Sequence, residues 1–546
     1  MLSGLVSCRR RGSVGHDVWM AQRWYLAIDL GSGGLKAAVV DEHGAVLAAS
    51  FRSIETCRAG DGAAEQDTDV WWTALLDAGA EVVLSAAAPG ACSGVGITGQ
   101  WGSTVPVDAS GMALGPCLMW SDHRGAPWSK AIAGGPVTIS GYGPTKLARW
   151  LRIAGGLPSP SGADPTGHAQ FLEHVRPSVF RAARALVEPV DFIGGRLTGR
   201  VAATPASMVA SWLTDNRVDA SLRYDPTMLH LARRTTNKLP GLIATGSTLG
   251  TLLADVAAAL GIEVDTPVVC GVPDLHTAAM GAGAVADFAG HIAISTTAWV
   301  SAPVPFKKAD VFRMTASVPG LRSGSYLIAN NHETGGAALR WLRDEVLSGI
   351  GGVADTAPDY DAITAEAATA PTGSGGVIFC PWLNGERSPV SDDNLRASFL
   401  NVSISTRRAD LIRSVLEGVA YNARWLLEAT EHFAGRPLES LRLLGGGAVS
   451  DLWCQIHADV IGRPIHQVAD PLNVNVRGAA WFAAMHLGHL SLDEISGRAP
   501  TARVFEPSSA AGRIYAPLYA EFVRLAKSQR SMYRRLNARH SSASNI

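Results

Sequence analysis

From residue 25 to residue 50 the chain reads YLAIDLGSGGLKAAVVDEHGAVLAAS, and this stretch narrows the folds open to it more than any other. Tyr25 to Ile28 has the character of a short buried strand and Leu35 to Val40 of a second, while Asp41-Glu42-His43-Gly44 turns the chain into a third at Ala45 to Ala49. The glycines therefore join strand to strand. A dinucleotide fingerprint and a Walker A loop both lead into a helix whose N-terminus holds phosphate, so both are excluded. Gly31-Ser32-Gly33-Gly34 also lacks the spacing of the first and the Gly-Lys-Ser/Thr of the second. A Gly/Ser turn still offers backbone N–H groups and a hydroxyl to an anion. Asp29, where the first strand ends, has the chemistry to hold Mg²⁺ through water, and Lys36 could bring positive charge to the same phosphates. A tight hairpin with a capping aspartate fits these residues equally well, so on this stretch alone both readings stand.

The pattern returns in GHIAISTTAWVSAPV at residues 290 to 304, again a strand, a small-polar turn and a strand. Between the two, VWWTALLDAGAEVVLSAAA from Val70 carries helical periodicity, and SGVGITGQWGSTVPVD returns to a strand ending in glycine. DTPVVCGVPDLHTAAMGAGAV, residues 265 to 285, reads as a buried strand, a Gly/Pro turn and a small-residue helix. Such alternation predicts α/β layers. A second half that restarts the first puts a boundary near residues 286 to 290, with domains at 23–287 and 288–530, a disordered extension at 1–22 and a flexible tail at 531–546. If the two polar turns face each other, they form a cleft able to grip nucleotide phosphate. LRLLGGGAVSDLWCQIHADVIGRP, residues 441 to 464, adds a strand that stops at Gly445, Gly446 and Gly447, and a helix from about Ser450 capped by Gly462. A triple glycine lets a flat ring lie close to the backbone, though a packed strand-to-helix turn is the simpler reading of the triplet alone.

Composition agrees with more than one core: 546 residues, 47% of them hydrophobic, exceed the roughly 250 to 300 over which a single core grows. Lys+Arg 47 against Asp+Glu 48 leaves no global field to draw nucleic acid or an anionic membrane. No apolar run approaches the roughly 18 residues of a membrane span, and the apolar stretch before the N-terminal arginines is too short for a secretory signal. The seven cysteines form no Cys-x-x-Cys pair and no Cys/His cluster, so neither a disulfide framework nor a structural zinc is indicated. These features lead us to expect a cytoplasmic protein with a small neutral partner, no nucleic acid and no membrane, a homodimer being admissible.

In this order the pieces resemble the FGGY carbohydrate kinase family, from about Tyr25 to beyond Gly488. AIDLGSGGLKAAVV is similar to the family's first phosphate motif, with serine where threonine is usual, and EQDTDVWWTALLDA to the segment after it. MWSDHRG at residues 119 to 125 resembles the Trp-x-Asp-x-Arg segment, CGVPDLHTAAMGAG the segment with the catalytic aspartate, and LGGGAVSDLWCQIHADVIGRPI the adenosine motif. IFCPWLNGERSPVSDDNLRASFLNVSISTRRADLIRSVLEGVAYNA follows the pattern of a Gly-Glu-Arg-x-Pro loop and a helix ending Leu-Glu-Gly-Val, except for Asn401 where glycine is usual. Within the family the likeness runs closest to the xylulose kinases.

The resemblance implies two actin-like (ribonuclease H-like) α/β domains with a cleft between them, and transfer of phosphate from ATP to a sugar or polyol hydroxyl. It implies Asp274 as the catalytic base, although an aspartate before a helix also serves as an N-cap. Asp29 would hold Mg²⁺, Gly31, Ser32, Gly33, Lys36, Thr296 and Thr297 the phosphates, and Gly445 to Gly447 the adenosine. Gln100, Trp101, Asp122, Arg124 and Asp274 would line the sugar side, with the alternative that Asp122 and Arg124 merely pair with each other. Three departures bear on this. The second phosphate motif, usually Gly-Thr-Ser/Thr-Gly, is matched to Thr296-Thr297-Ala298-Trp299, which puts a bulky indole where backbone approach is needed. Xylulose kinases carry Gly-Gln-Met-His-Gly where this chain has Gly99-Gln100-Trp101-Gly102-Ser103, and Asp-Asn where it has Asp274-Leu275. The opposed expectation is a degenerate member that binds sugar or nucleotide in a regulatory role without turnover.

Overall fold

In the computed structural model, which describes residues 23–542 apart from 87–90, 140, 219, 323 and 349–357, the opening segment is a meander. Strands β1 (Trp24–Gly31), β2 (Gly34–Asp41) and β3 (Val46–Ser53) pair antiparallel in turn. Side chains alternate across a strand, and here both faces are covered. Leu26, Ile28 and Leu30 pack with Trp71 and Leu75 of helix α1 (Thr68–Ala86), while Tyr25, Ala27, Ala38 and Val40 join a second cluster. Burial on both faces is why β1 reads as a nearly continuous apolar run until Asp29. Strand β4 (Cys92–Gly99) lies parallel to β1, and β5 (Thr248–Thr251) and β6 (Pro267–Val269) complete the order β5-β6-β4-β1-β2-β3. The short β7 (Val272–Pro273) pairs with the end of β4 and feeds helix α2 (Asp274–Gly281).

The second half repeats the opening. Strands β8 (Ala289–Ile294) and β9 (Ala298–Ser301) form an antiparallel hairpin. After helix α3 (Arg408–Ala434), strand β10 (Ser440–Leu444) lies parallel to β8. Helix α4 (Asp451–Ile461), strand β11 (Ile465–Val468), helix α5 (Val474–His486) and strand β12 (Thr501–Phe505) finish a sheet of order β9-β8-β10-β11-β12. Ser450 caps α4 by accepting from the Trp453 N–H, and Gly462 closes it at φ 77. No helix among the described residues is long and apolar enough to cross a membrane.

The structure departs from the sequence reading at three places and accounts for Asn401. Helix α3 does not end at Leu416-Glu417-Gly418-Val419 but runs 27 residues through it; a Cβ at Gly418 would lie 2.2 Å from the Phe379 carbonyl, so this glycine admits a crossing strand and does not stop a helix. Asn401 stands at φ 62 with its amide on the Gly376 carbonyl at 3.0 Å. Asparagine tolerates that left-handed backbone, which is how it replaces the usual glycine. Of the segment 531–546 expected as a flexible tail, residues 531–542 belong to helix α6 (Arg530–Ser542), with Tyr533 buried and Arg530 on Asp392 at 3.1 Å; residues 543–546 and the expected extension 1–22 lie outside the described residues. Finally, α5 follows the 286–290 boundary in sequence yet packs on the first sheet, its Val476 and Ala479 to Ala484 in one cluster with Tyr25, Ala27, Ala38 and Val40.

Candidate active site

The hairpin β1–β2 closes on Ser32-Gly33 with Gly31 opposite Gly34, and this register sets Asp29 directly across from Lys36. Residues equidistant from a two-residue turn must pair, so the charged couple follows from the sequence D-L-G-S-G-G-L-K alone. On the other side of β1, Asp29 neighbours Thr98 of β4. Thr98 Oγ1 donates to the Val272 carbonyl at 3.0 Å and lies 2.8 Å from Thr277 Oγ1 on α2. These bonds seat the start of α2, and with it Asp274, beside Asp29. Asp274 is the first residue of that helix; Pro273 occupies the cap position, so the carboxylate is not consumed as an N-cap. Asp29, Gly31, Ser32, Gly33, Lys36 and Asp274 all line one open cleft of about 2350 Å³.

Electrostatics divide these groups. Burial and the charge of Asp29 push the Asp274 carboxyl up to about 7, a value suited to accepting a proton near neutrality. Burial also raises Asp29, opposed by the Lys36 ammonium and by an amide hydrogen bond from Asn475. Burial lowers Lys36, opposed by Asp29 and Asp470, and its Nζ donates to the Leu472 carbonyl. Asn475, Leu472 and Asp470 carry no motif and were missed by the sequence reading, because they act from the second half.

Across the cleft the β8–β9 turn presents Ser295, Thr296 and Thr297. Its register puts Trp299 not at the turn but in β9 opposite Ala293, its Nε1 3.4 Å from His291 Nε2 and its ring packed against two buried clusters, while the residue still lines the cleft. Behind this turn the chain packs closely through two glycines: Cβ atoms at Gly335 and Gly336 would fall 2.5 Å from the Thr297 carbonyl and 2.8 Å from the Ser295 carbonyl. Gly445, at φ 85, and Gly447 are packed against Ile294, whereas Gly446 has room. Gly446 and Gly447 line the cleft, together with Val449, Ser450 and Trp453.

On the expected sugar side, Gln100 and Trp101 line the cleft. The Gln100 N–H donates to the Leu30 carbonyl at 2.8 Å, and its buried Oε1 has no partner. The Gly102 and Ser103 N–H groups that follow are held by buried Glu188, at 2.9 and 3.2 Å. Asp122 and Arg124 do not line the cleft. Asp122 is fully buried, accepting from the Ala64 N–H at 3.0 Å and from Arg124, whose guanidinium also reaches Glu65 and sits 4.2 Å over the Phe171 ring. Burial works to raise Asp122, but these donors outweigh it and hold the carboxyl below its usual range. The pair braces the loop, while Trp120, Ser121 and His123 of the same segment reach the cleft, as do Asp164 and Trp212. A satisfied ion pair turns inward, and the motif's charges drew the eye away from its aromatic members.

Family models match the chain in two consecutive parts: the N-terminal domain of the FGGY family of carbohydrate kinases at residues 24–141 and 164–281, and its C-terminal domain at 295–487. The xylulose kinase of Staphylococcus epidermidis is 24% identical over 527 residues, covering 94% of this chain and 98% of that protein. The glycerol kinase of Gloeobacter violaceus is 27% identical over 490 residues, covering 88% and 92%. Among solved structures, gluconate kinase from Lactobacillus acidophilus matches with a TM-score of 0.80 at 20% identity, over 94% of this chain and 100% of that one. The two sheets with their helices are thus two actin-like, ribonuclease H-like domains. With both domain models matched in order and the cleft between them built as described, the chain belongs to the FGGY family of carbohydrate kinases, ATP-dependent phosphotransferases with an alcohol group as acceptor.

Proposed function

We propose that the protein transfers the γ-phosphate of Mg-ATP to a hydroxyl of a neutral ketose or polyol, with xylulose or a close relative as acceptor and xylulose 5-phosphate and ADP as products. The lining of the first-half wall carries this reading: the Asp274 carboxylate with the indoles of Trp101, Trp120 and Trp212. The carboxylate of an aldonate would be repelled by Asp274 in the ionised form that acts as base, whereas a neutral hydroxyl finds an acceptor there and an apolar sugar face finds indoles. Asp274 is the base. Its carboxylate takes the proton of the acceptor hydroxyl as that oxygen bonds to the γ-phosphorus, and the bond from phosphorus to the bridging oxygen breaks to release ADP. Lys36, Ser32 and the N–H groups of the Gly31–Gly33 turn bind phosphate from one side, Thr296 and Thr297 from the other, and Gly446 and Gly447 flank the adenosine.

Asp29 fits Mg²⁺ by its donor chemistry, a sheltered carboxylate next to an Asn475 Oδ1 that has no partner. When bound, Mg²⁺ neutralises phosphate charge and screens the approach of the acceptor oxygen. The non-catalytic reading drew on the change at Thr296 to Trp299; with Trp299 in β9 and not at the turn, Ser295, Thr296 and Thr297 are left to meet phosphate, which supports the catalytic reading. ADP release should be measured with Mg-ATP across ketoses, polyols and gluconate, with Asp274→Ala alongside. Turnover is expected with a neutral acceptor and little with gluconate, and the variant should lose about 10² to 10⁴ in kcat with a nearly unchanged sugar KM. Gluconate as the best acceptor, or an active Asp274→Ala, would sink the proposal.

A further inference from the structure

Two of the phosphate-side groups are held by a segment of the second half that none of the phosphate motifs contains. Lys36 Nζ donates to the Leu472 carbonyl, and the Asn475 amide stands by the Asp29 carboxylate, where it works with Lys36 against the rise that burial imposes. Asn475 is the second residue of α5 and lines the cleft; its Oδ1 is closed to solvent and has no partner. A sheltered amide oxygen left open is costly unless something else uses it. The backbone that carries Asn475 has little freedom to relax, because α5 crosses α2 at two glycines. A Cβ at Gly478 would lie 2.0 Å from the Thr277 carbonyl, and one at Gly281 would lie 1.9 Å from the Val474 carbonyl. Thr277 stands one turn beyond Asp274, and Val474 immediately precedes Asn475. One rigid crossing therefore fixes Asp274 and Asn475 relative to each other, and Asn475 in turn fixes Asp29.

We propose that Asn475 is a positioning residue for the metal-bound nucleotide: its amide orients the Asp29 carboxylate, and its open Oδ1 accepts from a water of the hydrated cation. The second half thereby aims the phosphate turn of the first, and the aim depends on the same helix crossing that places the base. This rests on reading Asp29 as the Mg²⁺ carboxylate.

The test is calorimetric binding of ADP to the full chain, with Mg²⁺ and with EDTA, for wild type, Asn475→Leu, Asn475→Ser and Asp29→Asn. Asn475→Leu keeps the side-chain volume and removes both polar atoms; it should weaken Mg-ADP binding about tenfold while metal-free ADP stays within about twofold. Asn475→Ser keeps a donor and an acceptor on a shorter side chain and should fall between, and it carries the test if the leucine variant folds poorly. Asp29→Asn should lose the Mg²⁺-dependent gain altogether. Equal weakening with and without metal would mean a structural role and overturn the proposal, as would wild-type binding by Asn475→Leu. A wild type whose ADP affinity ignores Mg²⁺ overturns the metal role of Asp29 and this inference together. A wild type that responds to Mg²⁺, with both Asn475 variants responding equally, overturns this inference alone.

Discussion

Asp274 spends stability to be a base. Its carboxyl, pushed up to about 7 first by burial and then by Asp29, is protonated in the folded protein across a range where the unfolded chain has already released its proton. Over roughly pH 4 to 7 the native state therefore binds more protons than the unfolded state, so this group's contribution to stability falls as pH rises through that window. Asp274→Asn should stabilise the ligand-free protein by about 2 kcal/mol at pH 8 and hardly at all at pH 4, allowing for the residue's partial exposure to the cleft. Thermal unfolding at the two pH values checks it; equal Tm shifts at both would show that the burdened carboxylate is elsewhere. The same titration predicts an acid limb near pH 7 in kcat/KM for the sugar, since only the ionised form accepts the hydroxyl proton. A stabilised but inactive variant is the expected mark of a strained functional group.

At the scale of elements, the crossing of α2 and α5 joins fold to chemistry. Gly478→Ala places a methyl 2.0 Å from backbone that cannot swing away, so the helices must part. The expected cost is about 2 to 4 kcal/mol in chemical denaturation, with a fall in kcat larger than any rise in sugar KM, because Asp274 and Asn475 ride on the two helices. A variant as stable as wild type with normal kcat would remove the crossing from the mechanism. This element also marks where sequence reading stops. The β1–β2 hairpin was legible because alternation, the glycine turn and the equal spacing of Asp29 and Lys36 about that turn are all local. Asp274 was legible through the Gly-x-Pro-Asp turn that follows a buried strand. Gly418 was misread as a helix end because a glycine in a helix looks alike whether it stops the helix or admits a neighbour, and the neighbour, Phe379, is remote in sequence. Asn475 left no local trace, since its partner Asp29 lies in the other half of the chain.

For the whole molecule, the boundary at residues 286 to 290 divides the sequence but not the packing. Arg477 of α5 is buried and donates to the carbonyls of Gly44, Gly281 and Ala469 at 3.0, 3.3 and 2.9 Å, two in the first half and one in the second. At another point Lys307 donates to the carbonyls of Leu151 and Arg152, at 2.9 and 2.7 Å, closing the C-terminal end of a first-half helix from the second half. The first sheet thus owns one of its two covers outright and shares the other. Its α1 face is packed by residues of the first half, but the face of Tyr25, Ala27, Ala38, Val40, Val269 and Val272 is covered by Leu275, Ala279 and Met280 of α2 together with Val476 and Ala479 to Ala484 of α5. The second half instead holds a large cluster made wholly of its own residues, from Ile292 to Tyr533. Separation of the halves should therefore be asymmetric. A fragment of residues 23–287 exposes a sheet face in water and should bind a hydrophobic dye and unfold without a cooperative transition. A fragment starting at residue 288 keeps its own core and should unfold cooperatively, with α5 unsupported. Cooperative unfolding of the 23–287 fragment would show that α5 is an accessory to the first domain and not part of its core, and the tight coupling between Asp29, Asp274 and Asn475 would then need another origin.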